Sequence, residues 1–451
     1  MKVGIVTLGC DKNTVDNEYL AGQLSTHGVQ IVRAGKEPDE NLLDAVLINT
    51  CGFIDAAKQE SIRTILNWVE HKKQRAADGE RLRVLVAGCL TQRYKESLVA
   101  ELPEVDGFMG VGDFDKVVQL VKAPADTSSQ INLIDELPAV PVRDGMPRVQ
   151  LGPVSPHAFI KIADGCNHNC TFCAIPSFKG RLQSVKREII LAEARLLLSR
   201  GVREINIVAQ DTSDYGKDIY GREYGIADLL AELAALPGDF WIRLFYFYPG
   251  GVTDKFLEVM GSSPKIARYI DMPLQHLHPE VLLRMKRPYK EVNTFDRIAR
   301  LRAASPGLAL RTTFIVGFPG ETEEHFEYLM NGIGELRFNR MGAFPFSIEE
   351  GTPSADFKPR VPERLKKARF DQLMRRQAEI SRELHESRVG EDIKVLVEGR
   401  LDDGRYVSRG EADAPEVDGT VIISTKQDLR IGDFAQVRVT GAETYDLLAE
   451  V

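Results

Sequence analysis

The stretch ADGCNHNCTFC, residues 163–173, decides the fold, because it places three cysteines in a C-x3-C-x2-C loop directly after a predicted strand. Three thiolates this close in sequence can bind three irons of one 4Fe-4S cluster, whereas a fully ligated cluster takes four cysteines. Cys166, Cys170 and Cys173 therefore predict a cluster with one open iron. The alternatives are buried apolar thiols or a zinc site. His168 is the nearby fourth ligand for zinc, and its position inside the loop is awkward for closing a tetrahedron.

The strand before this loop opens a series of alternating strands and helices that runs to about residue 346. The strand candidates are AFIKIA, EINIVA, WIRLFY, RYIDM, LALRTTFIV and MGAFPF. Six βα units in succession predict a partial (βα)6 barrel, whose chemistry belongs at the carboxyl ends of the strands. A three-cysteine loop on such a scaffold resembles the radical S-adenosylmethionine superfamily, in which S-adenosylmethionine binds the open iron and is cleaved to a deoxyadenosyl radical.

A second alternating pattern occupies residues 1–145 and predicts an open parallel α/β sheet. Each of its apolar runs KVGIVTL, DAVLIN and RLRVLVA is followed two positions later by a cysteine, namely Cys10, Cys51 and Cys89. Ligands of such sheets gather beyond the carboxyl ends of the strands, so the three thiols are expected to meet. An isolated cysteine is more often an inert core residue. Three at equivalent positions predict a second cluster, again with an open iron.

The remaining segments predict a connection, a long helix and a small barrel. Six prolines mark residues 123–156 as a linker, at positions 124, 138, 141, 147, 153 and 156. Residues 362–388 are rich in Arg and Lys and predict one continuous helix. Five short strands after residue 390 predict an antiparallel β-barrel of the oligonucleotide-binding sort. We therefore predict an α/β multidomain chain with domains at 1–145, 150–387 and 388–451.

Composition and charge indicate a soluble globular protein, with 43% hydrophobic and 27% charged residues. Asp11 and Lys12 interrupt the N-terminal apolar run too early for a signal peptide. No stretch approaches the ~18 apolar residues that span a bilayer. We therefore expect a cytoplasmic protein with no membrane partner, whose cysteines stay reduced. The net charge of −8 argues against gripping nucleic acid through a general electrostatic field.

Polar residues at the predicted strand ends are further candidates for binding S-adenosylmethionine. They are Gln210 and Asp211 after the second strand, Gln275 and His276 after the fourth, and Arg311 and Gly317 on the fifth. Arg311 would suit bidentate pairing with a carboxylate. The alternative is that each residue caps a strand or bonds a loop. The run Phe245 to Tyr248 is interpreted as barrel packing rather than a substrate cage.

Motifs along essentially the whole chain resemble the methylthiotransferase family. They are LGCDKNTVDNE, NTCGFIDAAKQES, AGCLTQRY, ADGCNHNCTFCAIP, VAQDTSDYG, MPLQH, RTTFIVGFPGE and EEGTP. Family members have a three-cysteine domain, a radical domain and a C-terminal TRAM barrel, in that order. LGCDKNTVD, CNHNCTFCAIP and GEADAPEVDG resemble the branch that modifies an aspartate of ribosomal protein S-twelve. One departure is that the family's Ser-Arg reads Ser184-Val185-Lys186-Arg187 here, which puts the role of that arginine in question, although Lys186 or Arg187 could substitute for it.

The resemblance implies two 4Fe-4S clusters and two uses of S-adenosylmethionine. One molecule donates a methyl group to a sulfur on the auxiliary cluster of Cys10, Cys51 and Cys89. A second is cleaved at the other cluster, and the radical removes hydrogen from the β-carbon of the substrate aspartate, which takes up the methylthio group. Neither half requires a side-chain acid or base, so no catalytic residue is nominated. The implied partners are ribosomal protein S-twelve, free or on the small subunit, and an electron donor such as flavodoxin.

The charge of the C-terminal barrel bears on the choice of substrate. Residues 388–451 contain eight Lys or Arg and fourteen Asp or Glu, a net charge of −6. A barrel that grips tRNA should be basic, so the acidic barrel favours a basic protein, with a generic soluble surface as the alternative. Two rival functions are a tRNA methylthiotransferase acting on the adenosine beside the anticodon and a non-enzymatic iron-sulfur carrier. The motif RTTFIVGFPGE after a barrel strand argues against the carrier.

Overall fold

The computed structural model describes residues 1–39, 42–124, 130–136, 143–152, 155–287 and 293–451. The chain forms two compact units. The N-terminal unit comprises Met1–Val154, Asp164–His168 and Cys173–Gln183. The C-terminal unit comprises Ser155–Ala163, Asn169–Phe172 and Ser184–Val451, so the small barrel and the central sheet belong together. Within the described ranges, no helix is long and apolar enough to cross a membrane.

The elements of the described chain are numbered in order. The strands are β1 Lys2–Thr7, β2 Gln30–Arg33, β3 Ala45–Thr50, β4 Arg83–Gly88, β5 Gly107–Met109, β6 Ile131–Leu133, β7 His157–Lys161, β8 Ala163–Asp164, β9 Gln183–Ser184, β10 Glu204–Val208, β11 Trp241–Leu244, β12 Ile266–Asp271, β13 Ala309–Val316, β14 Arg340–Pro345, β15 Asp392–Arg400, β16 Tyr406–Gly410, β17 Val421–Ser424, β18 Phe434–Ala442 and β19 Leu447–Glu450. The helices are α1 Asp11–Thr26, α2 Asp55–Ala77, α3 Cys89–Glu101, α4 Lys116–Lys122, α5 Ile175–Lys179, α6 Arg187–Ser199, α7 Ile226–Ala234, α8 Asp254–Ser262, α9 Pro279–Arg284, α10 Thr294–Ala304, α11 Glu323–Leu336 and α12 Glu363–Glu386. Short 3-10 helices lie at Thr212–Asp214, Pro249–Gly251 and Pro353–Asp356.

The N-terminal sheet is parallel and open, as the alternating pattern predicts. In the described part of the chain its strand order is β2-β1-β3-β4-β5-β6. The central strands are buried along their length, with Val46 and Val84 fully covered. Continuous apolar strands of this kind are typical of parallel sheets covered on both faces. The three strands that precede the cysteines, β1, β3 and β4, are neighbours in this order.

The predicted linker is partly wrong, because two of its pieces belong to the N-terminal fold. β6 extends the sheet beyond β5 in parallel register. Arg148 donates from Nε to Glu18 Oε2 at 2.6 Å, and the Val149 amide donates to the Glu18 carbonyl at 3.0 Å. A buried ion pair supported by a backbone bond holds this segment on α1. Of the six prolines, Pro138, Pro141 and Pro153 lie outside the described residues.

The central sheet contains all of the predicted strands of the partial barrel. Its order is β14-β13-β12-β11-β10-β7, and within the described ranges the end strands β7 and β14 do not pair, so the sheet stays open. All its pairings are parallel. The predicted long helix is confirmed as α12, which packs against β14. The cysteine loop follows β7, at the carboxyl edge where the chemistry of such sheets is located.

The C-terminal strands form the predicted closed barrel, in the order β15-β16-β17-β19-β18. Its core is apolar and includes Val395, Ile423 and Val439. The expectation of a purely antiparallel barrel is wrong, because β17 and β19 pair in parallel. A closed ring with an odd number of strands cannot alternate direction at every pair, so a barrel of five strands must contain a parallel pair.

Buried ion pairs connect this barrel to the central sheet. Arg409 of β16 donates to Glu204 of β10 at 2.8 Å, and Arg243 of β11 donates to the same carboxylate at 2.7 Å. All three side chains are almost completely buried. Burial by itself would raise the pKa of Glu204, but the two guanidinium groups lower that pKa to about 2. The barrel is therefore fixed to the sheet by charges that stay ionised in the interior.

Candidate iron-sulfur sites

The auxiliary site is built from the carboxyl ends of three adjacent strands of the N-terminal unit. Cys10 is the N-cap residue of α1 after β1, Cys51 directly follows β3, and Cys89 begins α3 after β4. Cys51 and Cys89 are buried and Cys10 is half-buried. The shared strand edge that the sequence pattern predicts is therefore present. Three thiols at one sheet edge are a suitable donor set for three irons of a cluster.

Two glycines allow the backbone to pass close to these cysteines. Gly9 has a φ of +88°, and a Cβ at this position would lie 2.6 Å from Cys51 Cβ. Gly88 has a φ of +102°, and its Cβ would meet the Thr50 carbonyl oxygen at 2.7 Å. Residues with a side chain rarely adopt such φ values. The strand ends therefore come together at a distance that no other residue type would permit.

The electrostatics of the buried thiols favour proton binding until a metal is present. The pKa of Cys89 is raised to about 12, chiefly by burial; Lys179 lowers this pKa, while Cys51 and Cys10 raise it. Burial also raises the pKa of Cys51. Metal ligands must be deprotonated, so the positive charge of bound iron replaces these protons. The donor set therefore fits an iron cluster, whose assembly should release protons.

Lys179 is a charged neighbour of this site that the sequence analysis missed. It is 4% exposed, and its Nζ lies 3.3 Å from Asp164 Oδ1 and 3.9 Å from Asp16 Oδ2. Although burial by itself lowers its pKa, Asp164, Cys89 and Asp16 raise it above the ordinary value. Lys179 therefore holds a positive charge beside the thiols. Its position six residues after Cys173 was the available signal.

The start of the cysteine loop is held in place within the N-terminal unit. The Cys166 amide donates to the Gly180 carbonyl at 3.1 Å, and the Leu182 amide donates to Asn167 Oδ1 at 3.2 Å. Gly165 has a φ of +71°, and a Cβ there would collide with the Arg181 carbonyl. These bonds hold the start of the loop against the chain that returns after α5.

Cys170 and its neighbours belong to the C-terminal unit and contact the end of α9. The Thr171 amide donates to the Met285 carbonyl at 3.0 Å, and Thr171 Oγ1 donates to the Arg284 carbonyl at 2.9 Å. Arg287 donates from Nη1 to Cys170 Sγ at 3.7 Å. Sequence analysis missed Arg287, because 117 residues separate the two partners. It also assigned Tyr248 to packing, whereas the Tyr248 ring lies under the Arg287 guanidinium at 4.4 Å.

Gln210 and Asp211 follow β10 directly, as predicted. Asp211 caps a 3-10 helix, and its Oδ1 accepts from both the amide and the hydroxyl of Ser213 at 2.8 Å. Asp211 Oδ1 therefore bonds to a loop, which was the alternative to binding S-adenosylmethionine. The side chain of Gln210 is half-buried at the carboxyl end of β10. Their roles in binding S-adenosylmethionine stay predictions.

Gln275 follows β12 and lies beside β13, and Gly317 directly follows β13. Gln275 has a φ of +72° and exchanges backbone hydrogen bonds with Thr313 and Ile315, both at 2.8 Å. The Gly317 amide donates to Glu321 Oε2 at 2.9 Å. His276 is fully buried beside them, with its Nε2 3.6 Å from that same carboxylate. The Gln275-His276 segment and the GFPGE motif therefore lie side by side, and the contact between them is that of His276 with Glu321.

The position of Arg311 disagrees with its predicted role. It is the third residue of β13, close to the start of the strand, and it donates from Nη1 to Asp271 Oδ1 at 2.9 Å. Its Nε also lies 3.6 Å from Asp418 of the barrel. A guanidinium already paired with two carboxylates is occupied in structure, so Arg311 belongs with the ion pairs that fix the barrel.

Arg187 is one of the two residues that could substitute for the family's arginine, and its observed contacts are local. Its guanidinium pairs with Glu188 at 2.9 Å and Glu232 at 3.1 Å and covers the Tyr224 ring at 5.0 Å. The side chain is partly exposed on the first turn of α6. Lys186 is the N-cap residue of the same helix. The Arg187 guanidinium is therefore engaged in local contacts at the start of α6.

Comparison with protein families divides the chain as the sequence motifs do. Residues 160–333 match the Radical SAM superfamily, residues 2–110 match Uncharacterized protein family UPF0004, and residues 389–451 match the TRAM domain. The chain is also similar over its full length to curated relatives named ribosomal protein uS12 methylthiotransferase RimO. The relative from Desulfitobacterium hafniense is 44% identical, with 100% of this chain and 98% of the relative covered. Those from Geotalea uraniireducens and Heliobacterium modesticaldum are 42% and 43% identical, with 98% and 95% of each covered.

Solved structures with the same arrangement are radical S-adenosylmethionine enzymes of low sequence identity. The methyltransferase TsrM from Kitasatospora setae matches with a TM-score of 0.56 at 16% identity, over 78% of this chain and 75% of TsrM. The cobalamin-dependent enzyme OxsB matches with a TM-score of 0.54 at 13% identity, over 84% of this chain and 56% of OxsB. At this identity the likeness establishes the fold alone.

Proposed function

The chain belongs to the family of ribosomal protein uS12 methylthiotransferases, and from that premise we propose that it adds a methylthio group to the β-carbon of an aspartate in uS12, the S-twelve protein. The observation that carries the proposal is the meeting of Cys10, Cys51 and Cys89 at one sheet edge of a chain that also holds a radical S-adenosylmethionine domain. Activation of a C–H bond and delivery of sulfur are separate tasks, and each requires its own open metal site. Holding both reactants in one enzyme supplies the proximity that the second step needs.

The radical site is assigned to Cys166, Cys170 and Cys173. These three thiolates would hold a cluster that binds S-adenosylmethionine, and the reduced cluster would supply the electron that cleaves it to a deoxyadenosyl radical. The chain's own contribution is to position the ligands through the amide of Cys166 and the amide and hydroxyl of Thr171. Gln210, Asp211, Gln275 and Gly317 stay candidates for contacts with S-adenosylmethionine, because they lie beyond the carboxyl ends of their strands.

The auxiliary site is assigned to Cys10, Cys51 and Cys89. These thiolates would hold a cluster that carries the sulfur to which the methyl group is transferred. Lys179 balances part of the negative charge that three thiolates bring into a buried site. The tight turns at Gly9 and Gly88 keep the surrounding backbone close to the cysteines.

A basic protein is the substrate that this chain suits better than tRNA. The relatives named above are uS12 enzymes, and the barrel carries an excess of acidic residues. The source of the electron is proposed to be an electron donor such as flavodoxin, and the site of action is proposed to be the cytoplasm, where uS12 is made. A methylthio group missing from tRNA alone in a deletion strain would reject this assignment.

Mass spectrometry of uS12 and of bulk tRNA from a deletion strain tests the substrate directly. We expect uS12 to lose the mass of one methylthio substitution and tRNA to stay unchanged. Complementation with the wild-type chain should restore the modification, and complementation with a Cys166→Ala variant should not.

The assignment of six cysteines to two clusters is tested by iron content. After anaerobic reconstitution the wild-type chain should bind about eight irons, and the Cys10→Ala/Cys51→Ala/Cys89→Ala variant about four. That variant should still cleave S-adenosylmethionine to deoxyadenosine but should not transfer the methylthio group. If the variant retained all of the iron, the two-cluster assignment would be wrong.

A further inference from the structure

Arg287 is a cation that the structure places in hydrogen-bonding contact with Cys170, a cysteine of the radical site. Its Nη1 donates to Cys170 Sγ at 3.7 Å, within the range for a bond to sulfur. Its Nη2 donates to the Pro273 carbonyl at 2.6 Å. Its guanidinium plane lies over the Tyr248 ring at 4.4 Å. Three separate contacts therefore fix the direction in which this group points.

The backbone around Arg287 is also held in place. The Arg287 amide donates to the Leu282 carbonyl at 2.9 Å, which closes the end of α9. The neighbouring Lys286 has a φ of +53°, a conformation uncommon for a residue with a side chain. Thr171, next to Cys170, bonds to this same turn through the Met285 carbonyl. The turn and the cysteine are thus part of one hydrogen-bonded arrangement inside the C-terminal unit.

Hydrogen bonds to a ligand sulfur and nearby charge are main determinants of the reduction potential of an iron-sulfur cluster. A guanidinium is always charged, and its fork can serve two acceptors with fixed geometry. A positive group that donates to a thiolate stabilises the reduced cluster, which carries one more negative charge than the oxidised cluster. The potential of the couple then becomes more positive.

We propose that Arg287 is a positioning residue that raises the reduction potential of the cluster on Cys166, Cys170 and Cys173 by bonding to the Cys170 sulfur. The couple takes one electron from an external reductant and no proton. Arg287 therefore decides how completely a given donor reduces this cluster before S-adenosylmethionine is cleaved. The role rests on the proposed function only in assuming a cluster at these cysteines, and it does not depend on the identity of the substrate.

The test compares midpoint potentials in the full-length Cys10→Ala/Cys51→Ala/Cys89→Ala chain, which retains only the radical site. Redox titrations monitored by electron paramagnetic resonance compare the chain that keeps Arg287 with its Arg287→Gln and Arg287→Lys variants. We expect Arg287→Gln to shift the midpoint to a more negative potential with iron content unchanged, and Arg287→Lys to shift it less, because the charge is kept and the fork is lost. The fraction of cluster reduced at a fixed solution potential should fall in the same order.

A matched control is Arg300→Gln, which removes a partly exposed arginine of α10 paired with Asp254. This variant should keep the reference potential. An unchanged midpoint in Arg287→Gln at full iron content would overturn the proposal. Loss of iron from both Arg287 variants would overturn it as well, because the residue would then hold the loop rather than tune the cluster. If the potential shifts as expected but the wild-type chain, with all six cysteines, fails to modify uS12, this inference stands and the proposed function is rejected instead.

Discussion

At the scale of single residues, the auxiliary site combines thiols that resist ionisation with a lysine that stays charged. Burial raises the pKa of Cys89 to about 12, while Lys179 keeps its proton because Asp164 and Asp16 lie within ion-pairing distance. Removing one partner from a buried ion pair leaves an uncompensated charge, which is more costly than losing the pair's attraction. Lys179 is therefore expected to matter for stability as well as for the cluster.

Lys179→Met should lower the free energy of unfolding of the apoprotein by about 3–5 kcal/mol, since Asp164 would be left buried without its cation. Urea unfolding should be followed by the fluorescence of Trp68, which is buried in the N-terminal unit, in a Trp241→Phe background. The matched control is Lys36→Met, because Lys36 pairs with Glu60 at the surface of the same unit. That change should cost less than about 1 kcal/mol. Equal losses for both variants would contradict the buried-charge account.

At the scale of elements, the ends of β1, β3 and β4 form the site only because glycine stands beside the cysteines. Gly9 and Gly28 both have positive φ, at +88° and +75°, so replacing either by alanine strains the backbone. The two differ in space, because a Cβ at Gly9 meets Cys51 while nothing lies within 4 Å of a Cβ at Gly28. Comparing the alanine variants of Gly9 and Gly28 therefore separates the effect of backbone strain from the effect of crowding at the site.

Gly9→Ala should reduce the iron content of the reconstituted chain from about eight to about four, because the new methyl group displaces Cys51. Gly28→Ala carries the same conformational strain and should keep the full iron content. Deoxyadenosine formation should persist in both variants, since it depends on the other site. The assignment of Gly9 to the auxiliary site would fail if the two variants lost iron equally.

The loop between β16 and β17 has a structural role that the resemblance of its sequence did not indicate. The motif GEADAPEVDG, residues 410–419, suggested a substrate-specific branch. In the structure Glu411 pairs with Arg268 at 2.8 Å, Tyr269 donates to Asp418 at 2.7 Å, and Asp413 pairs with Arg340. The loop therefore docks the barrel on the central sheet. Part of the acidity that favoured a basic partner is used inside the C-terminal unit.

At the scale of the whole molecule, stability should depend on pH through the buried charges that join the barrel to the central sheet. The folded pKa of Glu204 is about 2, below its usual 4.5. A lowered pKa in the folded state contributes stability that is complete above about pH 4.5 and is lost as the pH falls toward 2. The full contribution is about 3 kcal/mol at 1.36 kcal/mol for each pKa unit.

Comparison of wild type with Glu204→Gln should reveal this dependence in urea unfolding followed by Trp241 fluorescence, in a Trp68→Phe background. The difference in free energy of unfolding should shrink by about 2 kcal/mol between about pH 6 and about pH 3, because protonation then removes the same charge from the wild type. Glu188→Gln, an exposed change on α6, should not show this loss. A difference independent of pH would mean that Glu204 acts through packing alone.

The sequence by itself determined the domain order and the six cysteines, because both depend on local pattern. Strand period, apolar runs and the C-x3-C-x2-C spacing are properties of neighbouring residues, and they predicted both sheets, α12 and the closed barrel. Even the meeting of Cys10, Cys51 and Cys89 followed from a local fact, since each ends a parallel strand and such ends share an edge.

Only the tertiary structure decided which charged groups surround the sites and which hold the domains. Arg287 reaches Cys170 across 117 residues, and Glu204 reaches Arg409 across 205. Arg311 was expected at a strand end and instead pairs with Asp271 and Asp418. Ion pairs and hydrogen bonds form between groups that folding brings within about 3–4 Å, and no local periodicity encodes that distance. For this reason the cysteine sites could be predicted from the sequence, while the cations beside those sites and in the contacts between barrel and sheet could not.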